Sequence, residues 1–318
     1  AALAVWCEPV WTTLRYGQVN LLVAALVLWD LTHRPGHRWA GAGIGVAAGV
    51  KLTPALFAVL LALAGLVAAR RRPNGPDPRT PGAEPWNPWL RQAAVAAGAF
   101  LGTAALAAAL LPDASLRFWT EVLFRPERVG NAEDTGNQSL HGALARVLHS
   151  DDPGAAATAL SVAVAAAGLA VAVAALLSGP RLPQSPAWAA AACAVTALLV
   201  SPVSWSHHWV WCVPLAVLLG TQARRRSDEG WWWGTAGCTT VFCSYALWWV
   251  PHSPDRTDRL ELRQDAMEML LSAVYPLAGA AFLALTAAVT LRATRATRGT
   301  GEGNAPGVRD ALQAVAKE

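Results

Sequence analysis

The chain has 318 residues, of which 54% are hydrophobic and only 14% are charged. Soluble proteins contain about 25% charged residues, so this composition argues against an ordinary soluble domain and indicates a membrane protein. The net charge of +4 comes from basic residues that cluster between apolar segments, which indicates membrane topology and not a nucleic-acid partner. Because no nucleotide-binding loop, serine-hydrolase elbow or zinc-protease motif is present, the sequence predicts neither a metal nor a cofactor.

Nine apolar segments follow one another along the chain. They read as helices, since a membrane-spanning segment must satisfy its own backbone polar groups. They predict an all-α, polytopic transmembrane bundle over residues 1–296, surrounded by membrane lipids, and a largely disordered cytoplasmic tail over residues 297–318. The predicted limits of the nine segments are 18–31, 39–51, 54–69, 89–111, 155–177, 187–203, 208–221, 231–250 and 266–291.

Basic clusters occupy alternate connections between these segments. They lie at residues 33–38, 70–72, 181, 224–226 and 292–298. By the positive-inside rule these connections face the cytoplasm, which predicts a multi-pass plasma-membrane protein with a cytoplasmic C-terminus. The connections then predicted to lie outside are residues 1–17, 51–54, 112–154, 201–208 and 251–265.

Several of the segments are too short to cross a bilayer as straight helices. Residues 39–50 would cover only ~18 Å at the rise of an α-helix, whereas the hydrocarbon core is about 30 Å thick. Pro54, Pro202 and Pro214 favour broken helices at these places. We therefore consider that the helices continue through their polar tips, or that the tips stop inside the outer half of the bilayer and line a cavity.

One polar stretch interrupts the apolar pattern sharply: SPVSWSHHW at residues 201–209, which we call the histidine segment. His207 and His208 lie between Trp205 and Trp209, with uncharged apolar runs on both sides. Ionisable groups near membrane depth are costly and usually face a cavity. An interfacial aromatic belt with incidental histidines is the alternative interpretation.

Three further polar groups fall in connections predicted to lie outside. They are Arg15 with Gln18 and Asn20, then Lys51, and then Asn137 with Gln138 and Ser139. Taken singly, the two cations could be snorkelling side chains and the third group a solvated loop. Together with the histidines they form a set of cations without a carboxylate, which suits a lipid phosphate. The amides suit sugar hydroxyls, and Trp205 and Trp209 suit a sugar face or a lipid chain.

Four stretches, RYGQVNLLVAALVLWD, GAGIGVAAGVKLTPALF, GNQSLHG and SPVSWSHHWVW, resemble in this order the signature stretches of glycosyltransferase family 87. The resemblance implies a GT-C fold and an inverting single displacement. A mannosyl, or other hexosyl, unit would move from a polyprenyl-phosphate sugar to a lipid or glycan acceptor on the outer face. The motifs do not specify the acceptor.

The resemblance also implies catalytic roles. The leaving phosphate of this reaction fits the cations found above, so we expect Lys51, Arg15 and either His208 or His207 to stabilise it, with one histidine acting as an imidazolium whose pKa stays near neutrality. The general base of GT-C enzymes is usually an Asp in the first outer loop, so we expect it to lie N-terminal to this chain. Glu8 is the only carboxylate before the first segment, and we do not expect it to be the base.

Two other functions remain as alternatives to an enzyme. One is a transporter or flippase for lipid-linked glycans, and the other is a non-catalytic subunit of a membrane complex. A transporter would usually show internal symmetry and polar residues near the midplane. Here the polar groups gather toward one face, which favours the enzyme.

Overall fold

The computed structural model describes residues 2–33, 37–71, 87–125, 130–253 and 258–301. In these ranges the regular structure is helical, and extended pairing is limited to one bridge between Asn137 and Trp205. The α-helices are α1 Ala2–Val5, α2 Glu8–Arg15, α3 Asn20–Leu31, α4 Ala42–Val50, α5 Ala55–Arg71, α6 Pro88–Leu110, α7 Pro112–Thr120, α8 Leu140–Val147, α9 Gly154–Ser178, α10 Ser185–Val200, α11 Cys212–Arg226, α12 Glu229–Cys243, α13 Ala266–Ser272 and α14 Val274–Gly301. Most of the predicted tail lies outside the described residues.

Each of the nine predicted segments contains a helix, so the all-α prediction is confirmed. Within the described ranges, three helical stretches are long and apolar enough to cross a membrane: Pro88–Leu110, Gly154–Arg181 and Val274–Ala296. In α6 only Ala93 and Ala96 are buried by the protein, which leaves an apolar surface suited to lipid. The count of nine spans is not confirmed, because the other helices are too short.

Two of the three prolines lie at breaks between helices. The turn between α4 and α5 contains Pro54, and Pro202 lies in the irregular stretch that follows α10. Pro214, in contrast, lies in the first turn of α11, where its missing N–H leaves no hydrogen bond unmade. The chain is interrupted just before it, at Trp209, whose backbone angles (φ −78°, ψ 23°) are not helical. The predicted break is therefore real, but Pro214 does not cause it.

A buried carboxylate joins α3 to α4 at the ends opposite the histidine segment. The side chain of Asp30, at the end of α3, is fully buried and accepts hydrogen bonds from the backbone N–H groups of Gly41 (2.5 Å) and Ile44 (2.8 Å). These N–H groups lie at the start of α4, where the backbone N–H groups have no hydrogen-bond partner within their own helix. The pairing therefore fixes the start of the helix that ends at Lys51.

Glycines let the helices approach closely at the centre of the bundle. A Cβ placed on Gly45 of α4 would lie 2.3 Å from the carbonyl oxygen of Ala96 in α6. A Cβ on Gly168 of α9 would lie 2.1 Å from the hydroxyl of Thr196 in α10. Backbones can pack at this distance only where no side chain intervenes.

The close contact between α4 and α6 can be tested by Gly45→Ala. The added methyl group meets backbone, which cannot move aside easily, so we expect a loss of about 1–3 kcal/mol in stability. Gly98→Ala is the matched control, since nothing lies within 4 Å of that Cβ position. Thermal unfolding in detergent should show a lower midpoint for Gly45→Ala alone; equal midpoints would contradict the packing.

Candidate functional site

The histidine segment is held along its backbone by the connection that precedes α8. The backbone N–H of Gln138 donates to the carbonyl of Ser204 (2.7 Å), and that of Ser206 donates to the carbonyl of Gly136 (2.8 Å). Two connections that are far apart in sequence thus pair in a short antiparallel contact. This contact brings together two of the four predicted polar groups.

The polar turn Asn137–Gln138–Ser139 is a scaffold in this structure. All three side chains are fully buried. The amide of Asn137 accepts from the N–H of Ser204 (3.0 Å), and the hydroxyl of Ser139 donates to the carbonyl of Pro202 (3.2 Å) while it caps α8. The amide of Gln138 donates to the carbonyl of Ser272 (2.6 Å). Direct contact with a sugar would require breaking these bonds.

Glu8 links four separate parts of the chain. Its side chain is fully buried, and one carboxylate oxygen accepts from the hydroxyls of Thr12 and Ser206 (both 2.8 Å) and from the indole of Trp248 (3.1 Å). The other oxygen accepts from the hydroxyl of Tyr275 (2.9 Å). A carboxylate enclosed by four donors is not available to take a proton from an acceptor. In this structure Glu8 acts as a structural link between these parts of the chain.

Asn20 connects the lysine to the histidine segment. Its amide donates to the carbonyl of His207 (3.0 Å) and accepts from the ammonium of Lys51 (2.8 Å). The hydroxyl of Thr13 donates to the same carbonyl (2.8 Å). Asn20 is buried and both ends of its amide are occupied, so it positions the two neighbouring groups in place of the sugar contact predicted from sequence.

The two histidines face different cavities. His207 lies in the wall of a wide cavity of about 820 Å³, together with Arg15, and His208 lies in the wall of a narrow cavity of about 40 Å³, together with Lys51. The two imidazole rings are nearly perpendicular, with centroids 4.8 Å apart. Two adjacent imidazoles therefore line two different cavities, an arrangement that could not be predicted from the sequence.

The narrow cavity is rich in hydrogen-bond donors. Ser204, which also lines it, is fully buried, and its hydroxyl has no hydrogen-bond partner among the described residues. Burial lowers the pKa of Lys51 to about 8, so the ammonium is still charged at neutral pH. Hence one cation, one imidazole and one free hydroxyl meet in a cavity without a carboxylate in its wall.

Burial keeps the imidazoles neutral. It lowers the pKa of His207 to about 4, with a further contribution from the charge of Lys51. The same causes, with a further contribution from His207, lower the pKa of His208 well below its usual value. These surroundings therefore do not favour the imidazolium that was predicted at neutral pH. A bound anion would be needed to offset the burial and raise the pKa of either ring. A neutral ring still donates one hydrogen bond.

The remaining predicted binding residues separate into different environments. Trp205 is half-buried and lines the wide cavity, where its ring packs beside Gly136. Trp209 is fully buried in the apolar core, and its indole donates to the carbonyl of Gln138 (3.2 Å), which removes it from the polar cavities. Gln18 is exposed and lines neither of the two.

Arg146 was missed by sequence reasoning. It is fully buried in α8 and donates to the backbone oxygens of Glu133, Asp134, Asn137 and Ser272, and to the hydroxyl of Ser272. Burial lowers its pKa to about 10, against the charges of Glu261 and Asp134, which raise it. A lone Arg in a short amphipathic helix gives no signal of this role, because its partners are mostly backbone oxygens.

The charged residues in the wall of the wide cavity differ from those predicted from the sequence. Asp134 and Glu261 both lie in its wall, where the sequence had indicated cations alone. The buried guanidinium of Arg146 lies close enough to influence both. In the part of the chain that the structure describes, no three His, Cys, Asp or Glu side chains are arranged to hold a metal ion.

The sequence profile of glycosyltransferase family 87 matches residues 1–202. A polyprenol-phosphate-mannose-dependent alpha-(1-2)-phosphatidylinositol pentamannoside mannosyltransferase of Mycobacterium tuberculosis (strain CDC 1551 / Oshkosh) is 34% identical over 237 residues, which cover 73% of this chain and 48% of that protein. A polyprenol-phosphate-mannose-dependent alpha-(1-2)-phosphatidylinositol mannoside mannosyltransferase of Mycolicibacterium smegmatis (strain ATCC 700084 / mc(2)155) is 33% identical over 251 residues, which cover 78% of this chain and 51% of that protein.

The chain thus spans about half the length of the curated relatives it matches. No solved structure matches it. Since the profile covers more than half of the chain, and the relatives align with most of it, the chain belongs to glycosyltransferase family 87.

Proposed function

We propose that the protein is a membrane mannosyltransferase that moves a mannosyl unit from polyprenyl-phosphate mannose to a lipid-linked mannoside acceptor. The proposal rests on the narrow cavity. Lys51, Ser204 and His208 meet in its wall, and its described lining residues include no acidic group. The relatives are named for their dependence on polyprenol-phosphate-mannose and for phosphatidylinositol mannoside acceptors, which supports the donor and the acceptor class.

The narrow cavity suits the phosphate of the donor. When the glycosidic bond breaks, the polyprenyl phosphate leaves with additional negative charge, and fixed donors that face this charge lower the barrier. Lys51 supplies the positive charge, while His208 and Ser204 supply one hydrogen bond each. The bound phosphate would in turn favour the protonated forms of Lys51 and His208.

The wide cavity suits the sugars. The half-buried face of Trp205 offers a surface on which a pyranose ring can stack, and Arg15 lies in the same wall. His207, which also lies in the wall of the wide cavity, would contact the transferred sugar. We assign no general base among the described residues, because Glu8 is enclosed by donors and Asp134 and Glu261 lie near the buried charge of Arg146.

The ends of the helices support an outward-facing site in a polytopic GT-C arrangement. Helix α5 begins next to Lys51 and ends with Arg70 and Arg71. Helix α11 begins next to the histidine segment and ends with a run of arginines at residues 224–226. The site therefore lies at the ends opposite the basic clusters. By the positive-inside rule the clusters and the C-terminus face the cytoplasm, and the site faces the outer side.

The transfer of radiolabelled mannose tests the proposal directly. Full-length protein in nanodiscs, supplied with polyprenyl-phosphate mannose and a series of phosphatidylinositol mannosides, should form a labelled product one mannose longer. Label incorporated into none of these acceptors, or incorporated equally well from a nucleotide-linked mannose, would contradict it.

Lys51 should set the alkaline limit of the reaction. Its pKa of about 8 means that the ammonium loses its charge above that pH, so kcat/KM for the donor should fall there. In Lys51→Arg the fall should disappear up to about pH 10, because a guanidinium stays protonated. Lys51→Met should be poorly active at every pH. A wild-type profile that stays flat between neutral pH and pH 10 would exclude this role.

His208 and His207 should respond differently to replacement. We expect His208→Ala to lower kcat by about 10²–10³-fold, the usual cost of a lost donor to a developing anion. His207→Ala is the matched control, and it should change the KM for the donor more than kcat, since its ring faces the sugar side. Steady-state kinetics on correctly inserted protein measure both, and the reverse order would refute the assignment of the phosphate to the narrow cavity.

A further inference from the structure

A third polar cavity, of about 380 Å³, lies beside the wide one. Trp205 stands between them: its ring is next to Gly136 in the wall of the wide cavity and next to Gly130 in the wall of the third. Half of the six polar side chains in this wall are acidic. They are Glu133, Asp151 and Asp152, with Asn131, His141 and Arg259.

Glu133 is the unexplained group in this wall. Its side chain is 1% exposed, and neither carboxylate oxygen has a hydrogen-bond partner among the described residues. The guanidinium of Arg259 approaches it at 3.7 Å and is bound more closely to Asp151. A buried carboxylate without hydrogen-bond donors is unfavourable, so the site is complete only when a ligand brings donors to it.

We infer that this cavity binds a neutral hexose unit of the acceptor glycan, with Glu133 accepting hydrogen bonds from sugar hydroxyls. This inference rests on the proposed function for the identity of the glycan. Three carboxylates against one guanidinium would repel a phosphate, which excludes the donor head group and the charged part of a phospholipid. Carboxylates and amides are strong partners for hydroxyls, and the cavity is large enough for a hexose.

A metal ion fits the cavity less well. The arrangement lacks three ligating side chains within reach of one ion in the described part of the chain. Arg259 already supplies a cation against Glu133 and Asp151. The volume is also many times the roughly 10–15 Å³ of such space that one water molecule needs.

The position of the cavity agrees with an extended acceptor. The hydroxyl that receives the mannosyl unit would lie in the wide cavity, and a neighbouring sugar would lie across the edge of Trp205. An indole between two sugar positions can contact both, since the carbon atoms of its six-membered ring lie next to Gly130 and Gly136. The third cavity would then determine which glycans are accepted, without touching the donor phosphate.

Binding of mannotriose without a lipid tests the inference separately from catalysis. Calorimetric titration of full-length protein in nanodiscs would compare the wild type with Glu133→Gln and with Asp152→Asn. Glu121→Gln is the matched control, because Glu121 is an exposed carboxylate in the same connection and pairs with Arg117 at 3.7 Å. Asp152→Asn keeps an oxygen for the N–H of Gly154, so it serves if Glu133→Gln does not fold.

We expect about tenfold weaker mannotriose binding in Glu133→Gln, the size of one charged hydrogen bond, and no change in Glu121→Gln. In the transfer assay the KM for the acceptor should rise by a similar factor while the KM for the donor stays constant. Glycan binding that depends on Glu133 without any mannose transfer would overturn the proposed function alone. Unchanged binding and acceptor KM in both cavity variants, or binding that is lost with a chelator and restored by calcium, would overturn the inference.

Discussion

The end of the bundle that holds the histidine segment depends on the buried carboxylate of Glu8. It accepts hydrogen bonds from α2, from the histidine segment, from the connection after α12 and from α14. Burying a carboxylate is costly unless donors surround it, so these four parts of the chain must come together in one arrangement. Within the histidine segment only residues 206–209 are helical, in a short 3-10 turn, and its pairing is limited to the contact with the 136–138 stretch. The segment owes its fixed position to such contacts.

A fixed backbone explains how two adjacent histidines can serve two cavities. The carbonyl of His207 is held by Thr13 and Asn20, and the preceding residues are paired with the 136–138 stretch. Consecutive side chains then point in different directions, one toward Lys51 and one toward Trp205. The narrow cavity has a lysine and no acid among its described lining residues, whereas the wide cavity has both an arginine and two acids in its wall. Under the proposed function, the narrow cavity would bind the lipid phosphate and the wide cavity the neutral glycan.

The sequence predicts the helices well because apolar runs and prolines act locally. Pro54 correctly marks a break, and the apolar segments coincide with helices. The burial of Asn137, Gln138 and Ser139 could not be predicted, because their partners lie more than 60 residues away along the chain. The same is true of Arg146, whose partners include a serine 126 residues distant. Polar residues in a connection that is predicted to lie outside suggest ligand contact. Only the fold shows that their hydrogen bonds are made to other parts of the protein.

The pairing of Lys51 with His208 around a phosphate is the central claim, and nuclear magnetic resonance of labelled imidazoles tests it most directly. Titration of the full-length protein with a short-chain prenyl phosphate should shift the resonances of His208 first and raise its pKa, because an anion offsets the burial of the ring. Lys51→Met should weaken this response. A response confined to His207, or one that is unchanged without the lysine charge, would contradict the account.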